Sequence, residues 1–319
     1  MVDRPPDALA TRWRGQPGRL EVWYATLSDP ANGLGAWIHH EVSSPLSGEP
    51  YAHGWTAVFR SGAEPVLARF GPEPVSVAGA GPGPAPVGGA VFDPPRLHGA
   101  AGALRWDVRF EEHEHAAAAP LWSFPAWAWE RELLPAAHVV PVPSAPCSGT
   151  IAVGGDVASL SSRARGNLAH IYGHGNAQRW GWLHAELGGG DVLEIVSAVS
   201  RRRALRSLPP LALVQLRLGG RDWPRDPLVA APLFRTRLGL PTWTVRGTVG
   251  RWRLRVDVAV PARQAVRVDY VDPDGATATC TNSEAADAEI VLEHRAATWE
   301  VERRWHLRGC AHAEIGTRP

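Results

Sequence analysis

Lysine is missing from all 319 residues, so every basic side chain other than histidine is an arginine. Schiff-base chemistry on a lysine amine is thereby excluded. Cysteine is scarce: Cys147, Cys280 and Cys310 are far apart, odd in number and without a Cys-x-x-Cys spacing. That excludes a full disulfide framework and a cysteine-based zinc site, and the three are expected to be free thiols. No apolar run is long enough to span a bilayer, and the opening stretch MVDRPPDALATRWRGQPG lacks the apolar core of a signal peptide. A cytoplasmic location without a membrane span is expected. Neither sign of charge is in excess, because the net charge is only +1, which leaves no overall electrostatic footprint for nucleic acid or anionic lipid.

Motifs for cofactor and metal chemistry are equally lacking. The run Gly79 to Gly89 has no Gly-Lys-Ser/Thr ending, and Gly173-His174-Gly175 lacks the third glycine and precedes a strand pattern instead of a helix. There is no His-Glu-x-x-His and no Gly-x-Ser-x-Gly elbow. His113 and His115 have chelating spacing on a strand, but their highly charged surroundings point to a solvated turn. No cofactor and no metal are expected.

Strand signals are plentiful. A hydrophobic fraction of 45% with 20% charged residues is that of a folded globular chain, and 319 residues exceed most single-core domains. Short runs bounded by Gly, Pro, Asn or Ser read as antiparallel strands over Leu20–Leu27, Gly35–Val42, Ala52–Phe59 and Leu104–Phe110. Further strands are expected over Gly149–Val153, Val157–Arg163, Arg179–Leu187 and Val192–Val199. A short helix is expected within Trp122–Leu134, after Pro125, followed by Pro135–Pro146 as extended chain. From Trp243 onward the pattern is a meander: Trp243–Val249, Arg251–Val260, Ala265–Val271, Thr277–Thr281, Ala288–His294, Thr298–His306 and Cys310–Ile315. Asp272-Pro273-Asp274-Gly275 supplies a turn, and Gly250 and Gly309 separate strand pairs. Closure into an up-and-down barrel would remove the exposed edges of such a meander. The charge run Arg201–Pro210 marks a boundary, giving domains over 1–203 and 204–319. The fold class expected is all-β, two tandem antiparallel β-barrel or β-sandwich domains with a short helix.

Chemistry concentrates in Asn167–Leu187, NLAHIYGHGNAQRWGWLHAEL. On a strand, Trp180, Trp182 and His184 share one face, while Arg179, Leu183 and Ala185 share the other. The aromatic face either holds a flat apolar molecule or is plain barrel core. Glu186 lies two residues beyond His184. Inside an apolar cavity burial would raise its pKa and lower those of the histidines, giving a proton donor and an acceptor; at a strand end it would simply lie in water. His39 and Glu41 share one face of an earlier strand, His40 the other, with His53 and Trp55 close by in sequence.

Three motifs resemble the lipocalin-like superfamily of carotenoid 1,2-hydratases, tocopherol cyclases and related natural-product Diels–Alderases. Glu21-Val22-Trp23-Tyr24 is similar to the early Glu-x-Trp-Tyr strand, His174–Trp182 to the central Gly-x-Gly…Trp-Gly region, and Trp299–Glu314 to the closing strands. The resemblance implies two tandem lipocalin-like β domains and a ligand cavity. The chain departs from the carotenoid hydratases where they carry an Asp-His-Asn-Trp-Gly type run, because Asn176-Ala177-Gln178-Arg179-Trp180-Gly181 has no acid. Alkene protonation needs a positioned acid, so neither hydration nor tocopherol-type cyclisation is secured by this motif. The reading that follows is a cofactor-independent cyclase or isomerase, including a Diels–Alder-type pericyclase, for an apolar polyene or polyketide-like molecule. A carrier of a hydrophobic small molecule and an isoprenoid double-bond hydratase are the alternatives. Candidate catalytic residues are His184, Tyr172, Asn176 and Glu186. Candidate substrate-binding residues are Trp23, Tyr24, His39, Trp55, His174, Gln178, Trp180 and Trp182.

Overall fold

The computed structural model describes residues 8–76, 83–111, 119–125, 127, 129 and 136–319. Trp127 and Trp129 are helical; the rest of the helix expected after Pro125, and the His113/His115 pair, lie outside the described residues. The chain divides into two compact units, one of Met1–Val58, Pro65–Asn176 and Val271–Thr277, the other of Phe59–Glu64, Ala177–Tyr270 and Ala278–Pro319. The boundary read from sequence, at 203/204, falls in a loop inside the second unit.

The first sheet is built from β1 (Arg19–Asp29), β2 (Leu34–Ser44), β3 (Tyr51–Arg60), β4 (Val66–Pro74), β5 (Val91–Asp93), β6 (Arg96–Ala101), β7 (Leu104–Phe110), β8 (Leu121–Trp122), β9 (Ala136–Val153), β10 (Asp156–Ser159) and β11 (Arg165–Gly173). Its order is β4-β3-β2-β1-β11-β9-β7-β6-β5, with β8 and β10 also pairing β9. β1 and β2 are buried along nearly their whole length, because each carries chemistry on both faces. Trp23, Ala25, Leu27, Ala36, Ile38 and Val42 enter the apolar core of the unit. The alternate positions place Tyr24, Thr26, His39 and Glu41 on the opposite face. Pro135–Pro146 is more than extended chain, since nearly all of it joins the strand β9. Its prolines are tolerated because the β9–β11 register shifts twice between Gly166 and His170, opposite the Pro141–Pro143 region, and a bulge relieves the missing N–H.

The second sheet comprises β12 (Arg179–Gly188), β13 (Asp191–Val199), β14 (Leu211–Leu218), β15 (Arg221–Trp223), β16 (Phe234–Arg237), β17 (Thr242–Val249), β18 (Trp252–Ala259), β19 (Val266–Val271), β20 (Thr277–Arg295) and β21 (Trp299–Thr317). The order is β15-β14-β13-β12-β21-β20-β18-β17-β16, with β19 on β20. The path ends in β15 and β16, and β14 lies against β16 and the short helix Pro227–Ala230. Leu183, Ala185, Leu193, Ile195, Val256 and Ile290 belong to its apolar core.

Two pairs of expected strands are single long ones. Thr277–Thr281 and Ala288–His294 are both β20, bent by register shifts between Ser283 and Ala288. Thr298–His306 and Cys310–Ile315 merge in the same way into β21. Gly309, at φ 62°, does not end a strand. It forms an irregularity whose N–H donates to Asp287 Oδ1 at 2.8 Å, so the side chain supplies the acceptor that the shifted ladder lacks. The turn at Asp272 forms as expected, with Gly275 N donating to Asp272 O at 2.8 Å.

Candidate active site

β12 separates its two faces as its alternation requires: Leu183 and Ala185 enter the apolar core of the second unit, whereas Trp182 and His184 do not. Antiparallel register then builds the other face. His184 is opposite Glu194 on β13 and His312 on β21, and Glu194 is opposite Gln215 on β14. Two residues along, on the same face, Trp182 is opposite Glu314, and Glu314 is opposite Asn282 on β20. His184, Glu194, Asn282, Glu284 and His312 have no solvent exposure, so a polar row is buried next to two indoles.

Hydrogen bonds fix this row. Both oxygens of Glu194 are occupied, Oε1 by Trp182 Nε1–H at 2.6 Å and Oε2 by His184 Nδ1–H at 2.8 Å. His184 Nε2 is 3.9 Å from Glu186 Oε1, and Glu186 is 12% exposed, so it is neither sealed in nor free in water. The His184 and His312 rings are 5.9 Å apart, and His312 Nδ1 hydrogen-bonds Glu284. Trp180 Nε1 donates to Glu314 Oε1 at 2.6 Å, and Cys280 Sγ to Glu314 Oε2 at 3.4 Å. Gly316, opposite Trp180, is required here because a Cβ would collide with the indole.

The charges on this face are separated in a useful way. Burial alone would strip the proton from His184, but Glu186 and Glu194 outweigh it and raise its pKa from 6.5 to about 9. This corrects the expectation that histidines on this face are lowered. Burial pushes the Glu314 carboxyl above its usual range, and nearby Glu284 adds to the rise, while the Trp180 and Cys280 hydrogen bonds act against it. Burial, with Glu314, also raises the Cys280 thiol well above its ordinary value, making it a poor nucleophile. The face therefore combines an imidazolium–carboxylate pair with a carboxyl group biased towards its protonated form, the pairing of environments that marks acid–base sites.

In the first unit, His39 and Glu41 share a face as expected. His39 Nε2 and His53 Nε2 each lie 3.2 Å from one oxygen of Glu41, and the His39 ring stacks on Trp55 at 3.7 Å. Burial lowers His39, while Glu41, although burial raises it, is held down to about 2 by the two imidazoles. His40 turns to the opposite face between Phe70 and Phe92. Trp23 stacks on His170 at 4.8 Å, and Glu21 accepts from His170 Nε2 at 2.9 Å and from the backbone N–H groups of Arg12 and Trp13 at 2.6 and 2.8 Å. Glu21, His170 and Trp23 thus pin the segment from Ala8 to Trp13, with Trp23 Nε1 donating to Leu9 O. Tyr172 OH accepts from Gln16 Nε2 at 2.9 Å, and Tyr24 OH meets His138 Nε2 at 3.0 Å.

The remaining candidates are held in loops. Asn176 binds the Asp272 carboxylate through its backbone N–H and, at 2.8 Å, its side chain. His174 is exposed, beside Arg19 Nη1 at 3.0 Å. Gln178 uses its backbone to bind Val199 O and Arg318 N. Trp180, Trp182, His184 and Glu186 therefore lie together on one face of β12, while Tyr172 and Asn176 belong to two different parts of the first unit. Sequence reasoning missed Glu194, Glu284, His312 and Glu314. A signal for three of them exists: Glu194 is the one charge inside Val192–Val196, and His312 and Glu314 alternate with small or apolar residues in CAHAEIG. Among the described residues, no three His, Cys, Asp or Glu side chains group as metal ligands. Surface hollows of about 340 Å³ over Arg246 and Arg253 and about 280 Å³ between Tyr51 and Pro72 contain none of the buried row.

Residues 115–317 match a family described as tocopherol cyclase-like. Two uncharacterised Mycobacterium tuberculosis proteins, from two strains, are each 47% identical over 316 residues, covering 99% of this chain and 92% of theirs. Among solved structures, kievitone hydratase from Nectria haematococca is similar with a TM-score of 0.59 and 11% identity, covering 98% of this chain and 94% of that one. A Nitrosomonas europaea protein described as AttH gives 0.57 and 15% identity, covering 94% and 92%. These likenesses show the fold: all-β, with two tandem lipocalin-like β domains.

Proposed function

The chain belongs to the tocopherol cyclase-like family, and from that premise we propose that it is a cofactor-independent cyclase or isomerase acting on an apolar polyene or polyketide-like small molecule. The observation that carries this reading is Glu314, a carboxyl biased towards protonation, bonded to Trp180 on the face that also holds Trp182 and the His184–Glu194 pair. The acid absent from the central sequence motif is thus supplied by β21.

In this reading Glu314 gives its proton to an alkene carbon or a conjugated carbonyl oxygen of the substrate. An internal double bond or hydroxyl then closes on the electron-poor carbon, and loss of a proton back to the Glu314 carboxylate gives a product isomeric with the substrate. Where the donor only hydrogen-bonds a carbonyl, the same site polarises a diene–dienophile pair for an intramolecular Diels–Alder closure. The indole faces hold the folded substrate, and orientation of this kind supplies up to roughly 7–11 kcal/mol in favourable cases. The imidazolium–carboxylate pair keeps a fixed dipole beside the developing charge. His184 and Glu194 have no solvent exposure, whereas Glu314 is half-buried, so of these three the proton donor is nearest to solvent.

Hydration is the second reading, and the same proton donor favours it: water, in place of an internal group, would capture the electron-poor carbon. Incubation of wild type and Glu314→Gln with an extract of the source organism, followed by mass analysis of bound and released molecules, tests both. A product of unchanged mass, formed by wild type and reduced about 100-fold or more in the variant, supports the cyclase or isomerase. Gain of one water supports the hydratase, and recovery of an unaltered ligand from both proteins sets catalysis aside in favour of a carrier.

A further inference from the structure

The near-zero net charge conceals a locally basic loop. Between β13 and β14 the chain reads Ser200-Arg-Arg-Arg-Ala-Leu-Arg-Ser-Leu-Pro-Pro-Leu211, with four arginines and no acid. Its backbone is folded: Arg203–Leu205 form a 3₁₀ turn, Leu205 N donates to Arg202 O at 2.8 Å, Leu208 N donates to Leu205 O at 3.2 Å, and Arg206 Nε donates to Arg201 O at 3.1 Å. The leucines are nonetheless turned outward, Leu205 at 39% exposure, Leu208 at 55% and Leu211 at 42%. Arg202, Arg203 and Arg206 are exposed and have no acidic partner among the described residues. Positive charge is dense enough that Arg318, lowered first by its own burial, is further lowered to about 10 by Arg201 and Arg206.

We propose that this β13–β14 loop docks the protein onto the surface of an anionic lipid bilayer. Leucines held in water by a folded loop gain by entering the acyl boundary, and arginines interleaved with them remain at the level of the phosphates. Charge alone would suit nucleic acid equally, but the loop has no aromatic platform for bases and no amide side chain to read them. The alternation of arginine with exposed leucine favours lipid. The inference is independent of the acid–base reading, since it rests on other residues and on a binding readout.

Sedimentation with vesicles tests it, using phosphatidylglycerol/phosphatidylcholine mixtures, pure phosphatidylcholine, and duplex DNA as competitor. Wild type is expected to bind the anionic vesicles and not the neutral ones. With each arginine near the surface contributing about fivefold, an Arg202→Gln, Arg203→Gln, Arg206→Gln variant is expected to bind about 100-fold more weakly. A Leu205→Ser, Leu208→Ser variant should also bind more weakly, with unchanged melting temperature because these side chains are exposed. No sedimentation of wild type with anionic vesicles would overturn the proposal, as would undiminished binding by either variant or displacement of the vesicles by DNA.

Discussion

Trp180 on β12 and Glu314 on β21 are joined by a 2.6 Å indole-to-carboxyl hydrogen bond, although 134 residues separate them. Gly316, directly opposite Trp180, makes the geometry possible by leaving room for the ring. Gly316→Ala is therefore expected to push the indole aside, destabilise the protein by roughly 1–3 kcal/mol as overpacking does, and lower product formation. Thermal melts and product analysis on the same preparation check both effects.

Alkaline pH should weaken the second unit. The pKa of His184 is raised from 6.5 to about 9, so its stabilising contribution is complete below 6.5 and disappears as pH climbs through about 9. The shift corresponds to about 3 kcal/mol. Glu194→Gln removes the charge partner of a buried imidazolium and is expected to cost about 3–5 kcal/mol near neutral pH, while flattening the alkaline decline. Urea titrations across this pH range measure it.

Acid acts on a different histidine. His40 is buried in the first unit with no hydrogen-bond partner on either ring nitrogen, and burial, with His39, lowers its pKa to about 3. The folded protein binds no proton there while the unfolded chain does, so stability falls as pH drops from 6.5 towards 3. Near pH 4.5 the loss is about 3 kcal/mol. His40→Leu should be neutral or stabilising at pH 7 and should show a shallower acid decline, as measured by melting temperature against pH.

Asn176 offers a contrast with the acid–base row. Its side chain is engaged by Asp272, so Asn176→Ala is expected to cost about 1 kcal/mol and leave product formation within a few-fold of wild type. A drop comparable to that of Glu314→Gln would place Asn176 in the chemistry.

Strand positions and faces were readable because their signals are local. The alternation of Trp180, Trp182 and His184 against Leu183 and Ala185, and of His39 against His40, directly assigned each side chain to its face. The partners of those residues were not readable. Glu314 meets Trp180 through the β12–β21 register, between strands distant in sequence, and Glu194 meets Trp182 through the register of the β12–β13 hairpin. The expected direction of the His184 shift has a related explanation: burial and the nearby Glu186 were both legible along the strand, but Glu194, whose carboxylate accepts from Nδ1–H, meets His184 only through the β12–β13 register.

The claim on which the functional account depends is that Glu314 carries a proton when other carboxylates have lost theirs. Difference infrared spectroscopy of wild type against Glu314→Gln, followed from acid to neutral pH, reads the protonated carboxyl band of this residue without any substrate. The account predicts a band that persists above the ordinary value of 4.5. A band that vanishes at that value would show an ordinary carboxylate and remove the proton donor from the site.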